Sequence, residues 1–212
     1  MQESFWQARW SEGRIGFHEP AANPLLTRFL PQLTLTPADH VFVPLCGKSF
    51  DLDWLLSQGL RVTGIEFNQA AVEEVFDRLS LPPQITETGA LTRYQAGDLT
   101  LYCGDVFALT ANDLGPVTAI YDRAALVALP PETRPLYAAH LIKITQSAPQ
   151  LLIGFDYDQT LTDGPPFSTP QDEISQHYAD RYAITELLSQ PITGPLGART
   201  QGMEQAWLLT PT

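Results

Sequence analysis

Residues 41–66, VFVPLCGKSFDLDWLLSQGLRVTGIE, restrict what this chain can fold into more than any other stretch. They read as strand, tight loop, helix and second strand. Val41-Phe42-Val43-Pro44-Leu45 is a continuous apolar run, as expected of a strand buried on both faces of a parallel sheet. Cys46-Gly47-Lys48 interrupts it, Ser49 is placed to cap a helix, and Leu52, Leu55 and Leu56 recur at helical spacing. Gly59 falls where a helix C-terminus favours a positive φ. Arg61 to Ile65 then restarts as a strand and ends on Glu66, nineteen positions beyond Gly47.

In nucleotide-binding α/β units an acid about 20 positions past the first strand-to-helix turn takes the ribose hydroxyls. Glu66 is therefore the expected ribose ligand. The loop itself carries one glycine rather than G-x-G-x-x-G, so a pyrophosphate would lack its backbone cradle. A nucleoside without phosphates suits it better, and S-adenosylmethionine fits that description. The alternative is an ordinary strand-helix-strand unit with a surface glutamate.

A length of 212 residues with 44% hydrophobic residues suits one globular domain, expected over 1–212. A net charge of −12 leaves no basic track for nucleic acid or an anionic membrane. No apolar run approaches spanning length, and MQESFWQARW lacks a signal-like apolar core, so a cytoplasmic protein is expected. Two cysteines, Cys46 and Cys103, do not make a disulfide framework. His18, His40, His140 and His177 show no metal-ligand spacing, and no metal is expected.

The first 23 residues stand apart from the alternating pattern. Trp6 and Trp10, four apart, share a helical face, and the segment reads either as a helix docked on a core edge or as a lid over a cationic ligand. Residues 24–33 suggest a helix, and Asn68 caps another that carries Val72, Val75 and Phe76. Residues 80–90 read as loop, and 91–103 as a hairpin turning at Ala96-Gly97-Asp98. Asp105 after that strand is either an adenine acceptor, with Val106 against the ring, or a helix cap. Strands follow at 117–121, ending on Asp122-Arg123, and at 150–155, with a helix from about Pro131 between them. A long loop over 156–169, a capped helix over 171–179 and two closing strands at 182–188 and 205–210 complete a mainly parallel sheet with an antiparallel end.

WQARWSEGRIGFHE, VPLCGKSFDLDWLLSQGLRVTGIE, YDRAALVAL and YDQT followed by GPPF resemble, in that order, the thiopurine S-methyltransferase family, in its compact bacterial form. The resemblance spans nearly the whole chain. It implies a class I S-adenosylmethionine-dependent methyltransferase, an α/β fold with a seven-stranded, mainly parallel sheet of order 3-2-1-4-5-7-6 and helices on both faces. It implies methyl transfer to the sulfur of aromatic or heterocyclic thiols such as thiopurines, with S-adenosylhomocysteine as product and selenium or tellurium species as further acceptors. Carried over by position, Trp6, Trp10, Leu45, Gly47, Glu66, Asp105, Val106 and Arg123 would meet the cofactor. Phe17, Arg123 and Arg199 would meet the acceptor, with Arg123 the catalytic candidate. A monomer is expected. Two rivals remain at this stage. One is a magnesium-dependent phosphotransferase of the haloacid-dehalogenase type, for which Asp156-Tyr157-Asp158-Gln159-Thr160 mimics the D-x-D-x-T signature. The other is a non-catalytic nucleoside-binding module.

Overall fold

The computed structural model describes residues 3–212, with side chains from Phe5 onward, so positions 1 and 2 of the expected arm lie outside the described residues. Its spine is one nine-stranded sheet. The strands are β1 (His40–Pro44), β2 (Arg61–Glu66), β3 (Gln84–Thr88), β4 (Leu91–Ala96), β5 (Leu99–Cys103), β6 (Ala119–Arg123), β7 (Gln150–Asp156), β8 (Tyr182–Pro191) and β9 (Met203–Pro211). Their order is β3-β4-β5-β2-β1-β6-β7-β9-β8. The helices are α1 (Glu3–Ser11), α2 (Pro24–Phe29), α3 (Phe50–Ser57), α4 (Gln69–Leu79), α5 (Ala111–Leu114), α6 (Arg134–Thr145), α7 (Gln171–Tyr178) and α8 (Gly194–Thr200).

The expected seven-strand order is present within this sheet, from β5 through β2, β1, β6, β7 and β9 to β8, with β9 antiparallel to both neighbours. The count of seven is corrected to nine by β3 and β4. Residues 84–88, read from sequence as loop, pair antiparallel with β4 at the sheet edge. Nearly every β3 side chain is exposed, Ile85 included, so the strand carries no buried face whose alternation could reveal it.

The central strands are covered on both sides, as the apolar run at 41–45 implied. Val41 and Val43 join Leu52 and Leu55 of α3 and Val72, Val75 and Phe76 of α4 in one core. Phe42, between those valines, points the other way and packs with Tyr137 and Leu141 of α6 and Tyr178 of α7. Three layers result, helices on each face of the sheet. His40 is buried within them between the Pro116 carbonyl and Thr63 Oγ1, each 2.7 Å away.

Local signals held where they were chemical. Ser49 Oγ accepts from Asp51 N and Asn68 Oδ1 from Ala71 N, capping α3 and α4. Gly59 closes α3 at φ 76°. The helix expected over 24–33 breaks at Leu30 into a 3-10 turn, because Pro31 has no N–H to continue it. The Gly/Pro-rich link between β8 and β9 contains α8, which the sequence did not suggest, and α7 has Pro170 at its N-cap and so no side-chain cap. Cys46 and Cys103 are free, with β2 between their strands. Among the described residues no helix is long and apolar enough to cross a membrane.

Candidate active site

The site forms at the carboxyl ends of β2, β1 and β6, which are adjacent in that order. β1 ends in the turn Leu45-Cys46-Gly47. Leu45 has φ 46° and Gly47 φ 54°, and Ala124, just past β6, has φ 60°. A left-handed backbone at Leu45 and Ala124 costs roughly 1–3 kcal/mol each and is held only where the surroundings enforce it. Both line the cleft. The turn is tied down by Cys46 N donating to the Ile65 carbonyl at 3.0 Å.

Glu66, last residue of β2, is 7% exposed. Its Oε2 accepts from Gly47 N and its Oε1 from Asn68 N, each at 2.9 Å. Burial pushes its carboxyl above the usual range, opposed by the N–H groups of Asn68, Gly47 and Phe67, which favour the anion. The spacing that singled out Glu66 thus has a structural basis, since the acid spans both loops at the strand tips. The surface-glutamate alternative is set aside by its burial.

α1 and the following loop cover this floor. Phe17 sits edge-on to Trp6 and Trp10, with centroids 5.9 and 5.5 Å away. Trp10 and Phe17 lie over Gly47, where an added Cβ would stand 3.7 Å from each ring. The cleft between floor and cover holds about 740 Å³ of space, counting the part open to solvent. A second cleft adjoins it, sharing Trp6, Phe17, Arg123, Ala124 and Ala128. Its far walls are mostly apolar, among them Ile153, Phe155, Pro165, Pro166 and Leu196. The long 156–169 loop that forms part of this wall is pinned by Arg134. That side chain is nearly fully buried and donates to Glu173, to the Ser168 carbonyl and to the Leu129 carbonyl.

Arg123 stands where the clefts meet. Its partners are Glu19 Oε1 at 2.6 Å and the Phe17 carbonyl at 2.7 Å. Asp122 points into the core instead, accepting from Tyr137 OH and Leu126 N, and burial raises its carboxyl to about 6. Three expected site residues are not brought to the clefts. Arg199 is exposed on α8 and reaches Thr162 Oγ1 at 3.4 Å, lining neither cleft. Asp105 caps the 3-10 turn after β5, accepting from Phe107 N at 3.0 Å, the capping alternative weighed above, and Val106 is wholly buried. Conversely, Glu19, Asp51 and Tyr121 line the clefts without having been singled out. Asp51 was hidden as one of two first-turn acids on α3, and Glu19 lay in a loop with no periodic signal.

This sheet order, with an acid at the tip of the second parallel strand, defines the class I methyltransferase fold, and solved structures agree. A Burkholderia thailandensis 1,6-didemethyltoxoflavin-N1-methyltransferase, crystallised with 1,6-didemethyltoxoflavin and S-adenosylhomocysteine, superposes at TM-score 0.66 with 16% identity, covering 98% of this chain and 87% of that one. A TehB-like methyltransferase from Corynebacterium glutamicum gives TM-score 0.59 with 10% identity, over 99% and 98%. At such identities the likeness is one of fold. The sequence is more specific: the family model for thiopurine S-methyltransferase matches residues 1–207. The thiopurine S-methyltransferase of Xanthobacter autotrophicus is 48% identical over 99% of both chains, and that of Pseudomonas fluorescens 49% identical over 92% of this chain and 89% of its own. The chain belongs to the thiopurine S-methyltransferase family and is a methyltransferase. The phosphotransferase alternative is not favoured: Asp158 Oδ1 is engaged by Thr160 N and Oγ1, capping a short 3-10 turn.

Proposed function

We propose that the enzyme transfers the methyl group of S-adenosylmethionine to the sulfur of an aromatic or heterocyclic thiol, thiopurines among them. The observation that carries this reading is the junction of two clefts at Phe17 and Arg123, one ending on Glu66 and the other walled by apolar groups. The donor set suits an adenosyl sulfonium. Glu66 keeps lone pairs beyond its two backbone bonds for ribose hydroxyls, and Leu45 and Gly47 line the same end. The single-glycine turn offers no phosphate cradle. Trp6, Trp10 and Phe17 line the cleft with aromatic rings, whose faces attract a cation by roughly 0.5–2 kcal/mol. The adenine is assigned to the β5 side of Glu66. When bound, the cofactor supplies a leaving group already activated for displacement.

The chain's own task is alignment and charge. The apolar second cleft holds a flat ring and excludes water, and the arm acts as a lid. Arg123 remains protonated, so it serves as a fixed cation favouring the thiolate and not as a base. Glu19 neutralises part of that charge, which leaves much of the ionisation to the acidity of the aryl thiol itself. Selenium and tellurium species are further candidate acceptors, and the working state is taken as a cytoplasmic monomer.

The test is transfer of labelled methyl to 6-mercaptopurine, thiophenol, selenite and tellurite. Labelled aryl thioether is the expected product, with Arg123→Ala lowering kcat/KM on the aryl thiol by about 10–100-fold at unchanged far-UV circular dichroism. Unaltered turnover in that variant removes Arg123 from the chemistry. Binding without transfer to any acceptor overturns the enzymatic assignment of this site.

A further inference from the structure

We propose that Asp51 is the counter-ion for the α-ammonium group of the cofactor's amino-acid tail, an inference that rests on the cofactor reading above. Asp51 lies in the first turn of α3, lines the first cleft and is 2% exposed. Its Oδ1 accepts from Asn23 N at 2.6 Å and its Oδ2 from Tyr121 OH at 3.1 Å. Both donors are neutral. No Lys, Arg or His among the described residues forms an ion pair with it. The cations that share its cleft are committed elsewhere, Lys48 Nζ to Glu74 and Arg123 Nη2 to Glu19. A carboxylate this deeply buried is ordinarily paired, and each of its oxygens keeps a further lone pair.

Position identifies the missing cation. The cleft runs across the ends of β2, β1 and β6, with Glu66 on β2 and Tyr121, which holds Asp51, on β6. Two strand steps, about 10 Å, separate those strands. A nucleoside whose ribose sits on Glu66 and whose 5′ chain runs along the cleft delivers the end of a short amino-acid tail to Asp51. The same cleft is lined by His18, whose Nδ1 is buried without a hydrogen-bond partner. In the Nδ1–H tautomer it donates to the tail's carboxylate, completing recognition of a zwitterion. Asp51 also anchors Asn23 at the root of the arm, so occupancy of this subsite and seating of the lid share one carboxylate.

The experiment is calorimetric titration of wild type and Asp51→Asn with three nucleosides. These are S-adenosylhomocysteine, its desamino analogue, and 5′-deoxy-5′-methylthioadenosine, which lacks the tail. Asparagine retains an acceptor for Asn23 N, and circular dichroism checks the fold. The expected result is an S-adenosylhomocysteine Kd raised roughly 10-fold or more in the variant. The two nucleosides without an ammonium should bind both proteins alike. Equal weakening for all three makes Asp51 a structural anchor only, and unchanged S-adenosylhomocysteine affinity also overturns the assignment. Should the variant not fold, wild type decides: equal affinity for S-adenosylhomocysteine and its desamino analogue overturns the proposal, and weaker binding of the analogue supports it. Wild type that binds none of the three overturns the cofactor reading itself, a result distinct from the others.

Discussion

Glu66 and Glu19 both face the clefts, yet they are held in unlike ways. Glu66 ends a strand paired on both sides, and its two oxygens are fixed by backbone N–H groups of the sheet's own loops. Glu19 belongs to the arm, is far more exposed, and meets the rest of the molecule through Arg123 and Asn23. The floor is therefore built by folding, whereas the cover is fastened to it by a few polar contacts and three aromatic rings. On the proposed reading a ligand is bound on the floor and then enclosed by the arm, since segments with few buried contacts open at low free-energy cost.

The comparison breaks most readily at Glu66. Glu66→Ala removes the proposed ribose acceptor and leaves Gly47 N and Asn68 N without their Glu66 acceptors. Affinity for S-adenosylhomocysteine should fall by about 100-fold, with a lowered Tm, and Glu66→Gln should recover much of the Tm but less of the affinity. A variant that binds normally by calorimetry would mean the floor is not the ribose site. Trp10→Ala tests the cover, where one aromatic face is worth roughly 0.5–2 kcal/mol, or about 2–30-fold in affinity, with little change in Tm. If Trp10→Ala instead unfolded the protein, the distinction between built floor and fastened cover would fail.

A different kind of effect, on stability against pH, concerns Asp122, beneath the floor. Its folded pKa of about 6 lies above the ordinary 3.8, so the protonated form is favoured by folding. That stability is present in full below about pH 4 and lost as pH rises through 6, a ceiling of about 2–3 kcal/mol. Asp122→Asn should flatten this interval of the Tm–pH curve and be no less stable than wild type at pH 7. A variant that loses stability most at neutral pH would show that the bonds to Tyr137 and Leu126 outweigh the cost of the buried charge.

Much of the site was legible because its chemistry is local in sequence. The apolar run of β1, the cap at Ser49, the C-terminal Gly59 and the acid at Glu66 each state a backbone requirement within a few residues. The same holds for the aromatic pair on α1. β3 escaped notice because an exposed edge strand has no buried face to impose alternation, and α8 because Gly194-Pro195 disguises a helix start as a turn.

By itself the sequence determined the alternation of strands and helices, the seven-strand core order through its family motifs, and the one acid at the tip of β2. Only the tertiary structure decided which partner Arg123 takes, that Asp105 is engaged as a cap, and that Arg199 stands away from the clefts. It alone set Asp51 without a cation against the cleft. For Arg123 and Asp51 those outcomes depend on pairings between residues 28 to 106 positions apart. Chain order specifies how each segment folds on itself, but side chains that remote find one another only once the sheet has fixed where its strand ends lie.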